Sequence, residues 1–285
     1  MLDVHRLRLL REVHRLGTLA AVARALSYSP SAVSQQLAQL EAETGATLLE
    51  HVGRGVRLTR QAHILVAHTE AILERLEAAE ADLAASVTEV TGTLRVASFQ
   101  TVMLALVPSA LSLLAARHPR LRVEITQREP EAAFAGLLAR DFDLVLGEEY
   151  PGLPRAPTPG VTHEDLARDE LRLALPPGGP FAGPVDALNA LAAAPWVLDP
   201  PDTVAGRWER SLCRGAGFEP DVRFESPDPL LRVHLVEGGH AVALLPDLLF
   251  TDRRHALRRQ RLPGRPHRRL FTGARAGAAA HPGIR

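Results

Sequence analysis

The chain has 285 residues, 46% of them apolar and 23% charged, enough for two or three units with cores of their own. Its 33 basic residues balance its 33 acidic ones, so a strongly charged partner must be met by a local surface rather than by the whole molecule. One cysteine, Cys213 in WERSLCRGAG, excludes an intramolecular disulfide and a cysteine-rich zinc site, and its setting reads as a buried helical position. All the basic residues are arginine, which in a chain so rich in Ala, Leu, Gly and Pro reflects coding bias rather than function.

The N-terminus MLDVHRLRLLREVHR mixes charged and apolar residues too closely for a secretory signal. The most apolar stretch, 102–116, contains Pro108, Ser109 and Ser112 and is too short to span a bilayer. A cytoplasmic protein with no membrane partner is expected.

Residues 17–59 carry the strongest signal. Gly17 and Thr18 open a short helix with the apolar stripe Leu19, Val22, Ala23 and Leu26. The break Ser27-Tyr28-Ser29 follows, with Ser29 as N-cap and Pro30 at the first helical position. On the second helix Val33, Leu37 and Leu40 face the core, and Ser34, Gln35 and Gln36 lie on the other side. Small and amide side chains of this kind suit a recognition helix in a major groove. Arg54 and Arg57 flank Gly55 in a hairpin-like turn that suits a wing on phosphates or in the minor groove. Ser29, Ser31 and Thr59 join them as candidate DNA contacts, with Arg24 a further backbone candidate. Residues 1–60 hold eight arginines against five acids, so the basic surface is local.

From Thr59 to about Val90 a helical pattern runs without Gly or Pro. Leu65, Ile72, Leu76, Ala79, Leu83 and Val90 occupy six of eight positions in a heptad-like seam, which asks for a partner helix. The period then changes. Strands at 93–97, 121–126 and 142–147 alternate with helices at 101–117 and 130–140, a βαβαβ pattern that forms a parallel sheet. Beyond the Pro/Gly-rich interval 151–160, ELRLALP, PWVL, DVRFES and HAVALLP alternate with helices near 186–193, 204–216 and 228–237. The arginine-rich segment 256–275 returns as strand to the first set.

The run AAVARALSYSPSAVSQQLAQLE, followed by G-x-x-LL and RGVRLT, resembles the N-terminal winged helix-turn-helix of LysR-type transcriptional regulators, densely over residues 5–65. The chain departs from the usual family pattern at Pro30, Leu49, His51 and Gln61-Ala62. The resemblance implies a winged helix-turn-helix (all-α with a small β wing) over 1–60 and a linker and dimerisation helix over 61–91. An α/β two-lobed, periplasmic-binding-protein-like effector domain over 92–285 completes it, with lobe 1 at 92–160 and 263–285 and lobe 2 at 161–262. It further implies a homodimer or tetramer that binds double-stranded DNA, is controlled by a small-molecule effector and works with RNA polymerase. Such effector domains usually close with a helix, yet RRLFTGARAGAAAHPGIR leaves two residues beyond Pro282-Gly283. Residues 276–285 are therefore expected to be frayed or only briefly helical.

Ligands of open α/β sheets sit beyond the carboxyl ends of the strands. That points to Ser98, Gln100 and Thr101, to Gln127, Arg128 and Glu129, to Glu148 and Glu149, and to Asp199 and Thr203. The glutamates suit a cationic group and a helix N-terminus suits a carboxylate, so an amino-acid-like effector would satisfy both. No cofactor, metal site or catalytic residue is expected: G-x-S-x-G, H-E-x-x-H, G-x-G-x-x-G and G-x-x-x-x-G-K are all missing from the sequence. His63 and His68 are off one helical face, and His234 and His240 flank a helix end. A small-molecule-binding protein without a DNA role is the alternative, and an α/β enzyme the third reading.

Overall fold

The computed structural model describes residues 1–53, 55–87, 89–251 and 255–285. They form two compact units, Met1–Asp82 and Leu83–Arg285.

In the first unit, helix α1 (Val4–Leu16) starts at Asp3, whose carboxylate accepts the His5 amide, and stops at Gly17 in the left-handed region. Helix α2 (Leu19–Ala25) is capped by Thr18. Helix α3 (Pro30–Thr44) begins as its sequence dictates: Ser29 Oγ accepts the Ala32 amide at 3.1 Å, and Pro30 fills the first position. Val33, Leu37 and Leu40 are buried among Leu7, Leu10, Val13, Val22 and Val66. Each such side chain contributes about 1.5–3 kcal/mol through burial. Leu26 is the exception to its stripe, because α2 ends at Ala25 and leaves it exposed.

Strands β1 (Leu49–Val52) and β2 (Gly55–Leu58) form an antiparallel hairpin, with Glu50 opposite Arg57. Helix α4 (Arg60–Ala85) follows and is about 39 Å long. It ends five residues before Val90, at a turn in which Ser86 Oγ donates to the Leu83 carbonyl at 2.7 Å. The seam divides. Thr69 is buried and Leu65 half-buried in the helix's own unit, whereas Ile72, Leu76, Ala79 and Leu83 are exposed.

The second unit opens with β3 (Gly92–Ser98), α5 (Gln100–Ala105) and α6 (Val107–Arg117). The expected single helix over 101–117 is thus broken at Leu106, with Pro108 inside the first turn of the new helix. Then come β4 (Leu121–Gln127), α7 (Pro130–Ala139), β5 (Leu144–Glu149) and the 15-residue β6 (Val161–Leu175). The last part holds β7 (Pro195–Leu198), α8 (Val204–Gly215), β8 (Asp221–Glu225), α9 (Pro229–Glu237), β9 (Ala243–Pro246), β10 (Arg258–Arg261) and β11 (His267–Arg275). The helix expected at 186–193 is only a 3-10 turn, Leu188–Leu191.

Strands β4, β3 and β5 are parallel, as the βαβαβ pattern requires, and β11 and β6 extend the sheet antiparallel. β6 serves both lobes. Its first ten residues pair with β11 and its last five with β9 and β10, so the crossover lies near Glu170-Leu171 rather than at residue 161. β7 pairs with β8 and, through the Trp196–Val242 bridge, sits beside β9. Gly147 and Gly273 leave room for the rings of Phe271 and Phe134, so β5 and β11 pack tightly in the core of this sheet. Gly206 does the same for α8: a Cβ there would collide with the carbonyls of Asp199 and Pro200.

The tail is not frayed. Residues 276–285 form successive turns, with Ala278, His281 and Ile284 amides bonded three residues back, and most of the segment is half-buried. Local turn bonds need no amphipathic face, which is why the absence of a helix did not release it.

Candidate nucleic-acid interface and ligand cleft

On α3 the core residues Val33, Leu37 and Leu40 leave Ser31, Ser34 and Gln35 exposed. No intramolecular hydrogen bond holds Ser34 or Gln35 among the described residues, so both are free to meet a base edge. Gln36 is placed differently. It is half-buried, and its Oε1 accepts from Arg6 Nε at 3.1 Å, with Arg6 also bonded to Glu43. Ser29 and Ser31 share a hydroxyl contact of 2.9 Å at the start of the helix. Thr59 donates to the Thr47 carbonyl and accepts the Ala62 amide, so its hydroxyl starts α4. Arg57 is well exposed and pairs with Glu50 across the hairpin at 2.7 Å. Arg54 lies outside the described residues. Arg24 is exposed near the end of α2.

In the second unit the strand ends surround a cavity of about 630 Å³, within the range of small-molecule sites. Gln100, Thr101, Glu129, Glu148, Glu149, Asp199 and Thr203 all line it. Ser98 and Gln127 do not. Ser98 is fully buried at the end of β3, and Gln127 is exposed at the end of β4, where the alternation of the strand turns it away from the cavity wall. Thr203 caps α8 through the Gly206 amide at 2.9 Å. Gln100 Nε2 donates to Asp228 Oδ1 at 3.0 Å, joining α5 in one lobe to the start of α9 in the other.

Two buried arginines organise the wall, and sequence reading found neither. Arg268 on β11 donates to Glu148 at 2.6 Å, to Asp169 at 2.7 Å and to Thr101 at 2.7 Å. Arg232 on α9 donates to Asp199, to Glu209 and to the Leu244 carbonyl. Both signals existed in the sequence. Arg268 stands two residues before Leu270 on the same face of its strand, and Arg232 joins Val233 and Val236 on a 3/4-spaced buried stripe.

Burial shapes the titration of this wall. Desolvation raises Glu148, and Arg268 pulls it part of the way back. Glu129 is raised by burial and then by Glu148, Asp199 and Glu131, with no cation to offset them. Glu209 goes furthest. Burial lifts it to about 8, because Arg232 must serve Asp199 as well. Tyr150 is pushed up by burial and by Glu148.

A family model described as "Bacterial regulatory helix-turn-helix protein, lysR family" matches residues 4–63, and one described as "LysR substrate binding domain" matches residues 87–285. The chain belongs to the LysR family. A "Probable hydrogen peroxide-inducible genes activator" of Mycobacterium avium is 34% identical over 80% of this chain and 72% of its own length. The LysR-family regulator CbnR, 25% identical, superposes with a TM-score of 0.56 over 99% of this chain and all of its own. CbnR has also been solved with its target DNA, at 24% identity, a TM-score of 0.55 and coverage of 99% and 98%. A full-length OxyR variant of Pseudomonas aeruginosa, 17% identical, shares the fold with a TM-score of 0.67 over 100% and 95%.

This LysR-type protein is a DNA-binding transcriptional regulator controlled by a small-molecule effector, and not an enzyme. Among the described residues no helix is long and apolar enough to cross a membrane.

Glu209 yields a pH prediction. Its pKa in the folded state, about 8, lies above the ordinary value of 4.5. The folded state therefore holds a proton that the unfolded chain releases, and stability falls as pH rises from about 4.5 to 8. Glu209→Gln should flatten that decline. Urea titrations of both proteins at intervals across this range will check it: the stability difference must shift in favour of the variant as pH rises.

Proposed function

We propose that the regulator reads its operator with Ser34 and Gln35 of α3 against base edges, and holds phosphates through Ser29, Ser31, Arg57 and Arg54. The observation that carries this reading is the exposure of Ser34 and Gln35 on a helix whose other side is fixed in the core. Gln36 and Thr59 support the interface as positioning residues, one by holding Arg6 and the other by starting α4. The open stripe Ile72, Leu76, Ala79 and Leu83 of α4 joins two copies, so that paired recognition helices meet paired half-sites. A tetramer forms from such dimers. Contact with RNA polymerase at the bound promoter and a cytoplasmic location complete the reading.

The effector occupies the cleft lined by Gln100, Thr101, Glu129, Glu148, Asp199 and Thr203. The name of the mycobacterial relative refers to hydrogen peroxide, but the chemistry of this chain's thiol argues against that signal. Cys213 is fully buried on α8, and burial with Glu209 nearby pushes its pKa up to about 12. A neutral, enclosed thiol is a poor nucleophile toward peroxide. Adding peroxide to the operator-binding reaction should leave affinity unchanged.

Footprinting and gel shifts on DNA upstream of the protein's own gene test the operator reading. Gln35→Ala should weaken specific binding by about 1–3 kcal/mol and spare non-specific binding. Arg57→Ala should weaken both and lower the salt dependence. An unchanged sequence preference in the Gln35 variant would refute the assignment of α3.

For the dimer, Ile72→Glu with Leu76→Glu sets like charges against each other across a two-fold seam. Light scattering should report monomers or aggregates, and operator binding should be lost. A stable DNA-competent dimer from this double variant would exclude the seam.

A further inference from the structure

Residues 1–82 hold a single member of the Phe, Trp and Tyr set, Tyr28, and it is kept out of the core. The core around α1, α2 and α3 is wholly aliphatic, whereas Tyr28 is 46% exposed. An aromatic ring stabilises a small unit most when it is buried, so this position calls for another use.

The backbone fixes where Tyr28 stands. Ser27 follows the end of α2 at φ 57°, in the left-handed region. Its amide donates to the Arg24 carbonyl at 3.4 Å and the Tyr28 amide to the Ala23 carbonyl at 2.8 Å, the pair of bonds that closes a helix C-terminus. The next residue, Ser29, caps α3 through the Ala32 amide. Tyr28 is thus pinned between the closing bonds of one helix and the opening cap of the next. A hydrophobic residue at such a junction commonly packs against a neighbouring turn, and the exposure of Tyr28 leaves much of its ring unused in that way. The ring meets His5 of α1 edge-on, with centroids 5.8 Å apart. The hydroxyl has no hydrogen-bond partner among the described residues.

In a helix-turn-helix the N-terminal residues of the second helix meet base edges, so the residue just before that helix lies where the chain passes the sugar-phosphate strand. Ser29 and Ser31 are exposed at the same place. A phenol there can donate to a phosphate oxygen without bringing a charge of its own. We propose that Tyr28 is a phosphate contact of this regulator. Its hydroxyl donates to the DNA backbone where α3 enters the major groove, and His5 holds the ring in place. The proposal rests on the reading of α3 as the recognition helix.

Gel shifts with the full chain test this, on the DNA upstream of the protein's own gene and on an unrelated duplex of equal length. Tyr28→Phe keeps the ring and removes the donor. It should weaken binding to both duplexes about ten-fold, the scale of a hydrogen bond to a charged group. The salt dependence should stay as in the wild type, because a phenol displaces no counterion. His5→Ala should reproduce part of the loss. Phosphates of the upstream fragment can then be replaced one at a time by neutral methylphosphonates. At one position the wild type should lose affinity and Tyr28→Phe should lose none. Equal sensitivity of the two proteins at every phosphate, with a lowered unfolding free energy in the variant, would make Tyr28 merely structural and overturn the proposal. Wild-type affinity in Tyr28→Phe, or a loss confined to one base sequence, would overturn it too. Gln35→Ala addresses the underlying reading separately. If it leaves sequence preference unchanged, α3 is not the recognition helix; if preference changes while Tyr28→Phe binds as the wild type, only the phosphate contact is removed.

Discussion

A buried guanidinium must be surrounded by acceptors, and Arg268 meets that requirement from four directions of the chain. It sits on β11, takes Asp169 from β6, Glu148 from β5 and Thr101 from α5, and faces the Phe99 ring at 5.4 Å. Those partners lie 99 to 167 residues away in sequence. The strand ends that build the cleft are therefore held in place by one charge that cannot move without stranding three polar groups. In the second lobe Arg232 ties Asp199 from the end of β7 to Glu209 from α8 through its two terminal nitrogens, while its Nε has no acceptor among the described residues. The cleft is shaped by its own ion pairs before any ligand arrives.

The first unit is held together differently. Its core is apolar, built on Leu7, Leu10 and Val13 of α1 and on Val33, Leu37 and Leu40 of α3, and its fixed charges are few. Arg11 and Glu12 are the buried ionic residues, paired at 2.8 Å, with Glu70 of α4 adding a contact to Arg11 at 2.6 Å. That link fixes the start of the long helix to α1. The rigid placement of α3 leaves Ser34 and Gln35 as side chains that lose little on meeting DNA, because neither breaks an intramolecular bond to do so.

Most of this arrangement could be read from the sequence where local chemistry decided it. Ser29 and Pro30 specify the start of α3, and Val33, Leu37 and Leu40 specify its buried side, because capping and 3/4 spacing are properties of neighbouring residues. The βαβαβ order of the first lobe follows equally from local period. The misses in the sheet and the cleft share one physical cause: they depend on partners distant in sequence. The first ten residues of β6, VTHEDLARDE, are polar and mostly exposed, and they form a strand because β11 pairs with them. The exclusion of Ser98 and Gln127 from the cleft and the inclusion of Arg268 and Arg232 likewise depend on which strand face meets the opposite lobe.

Paired buried charge, more than apolar contact, fixes the geometry of the cleft. A double-mutant cycle on Arg268 and Asp169 tests it most directly, with unfolding free energies measured in the full chain. The account predicts that Arg268→Met alone costs about 3–5 kcal/mol, and that adding Asp169→Leu recovers part of the loss by removing the stranded carboxylate. A neutral Arg268→Met, or two losses that simply add, would contradict it.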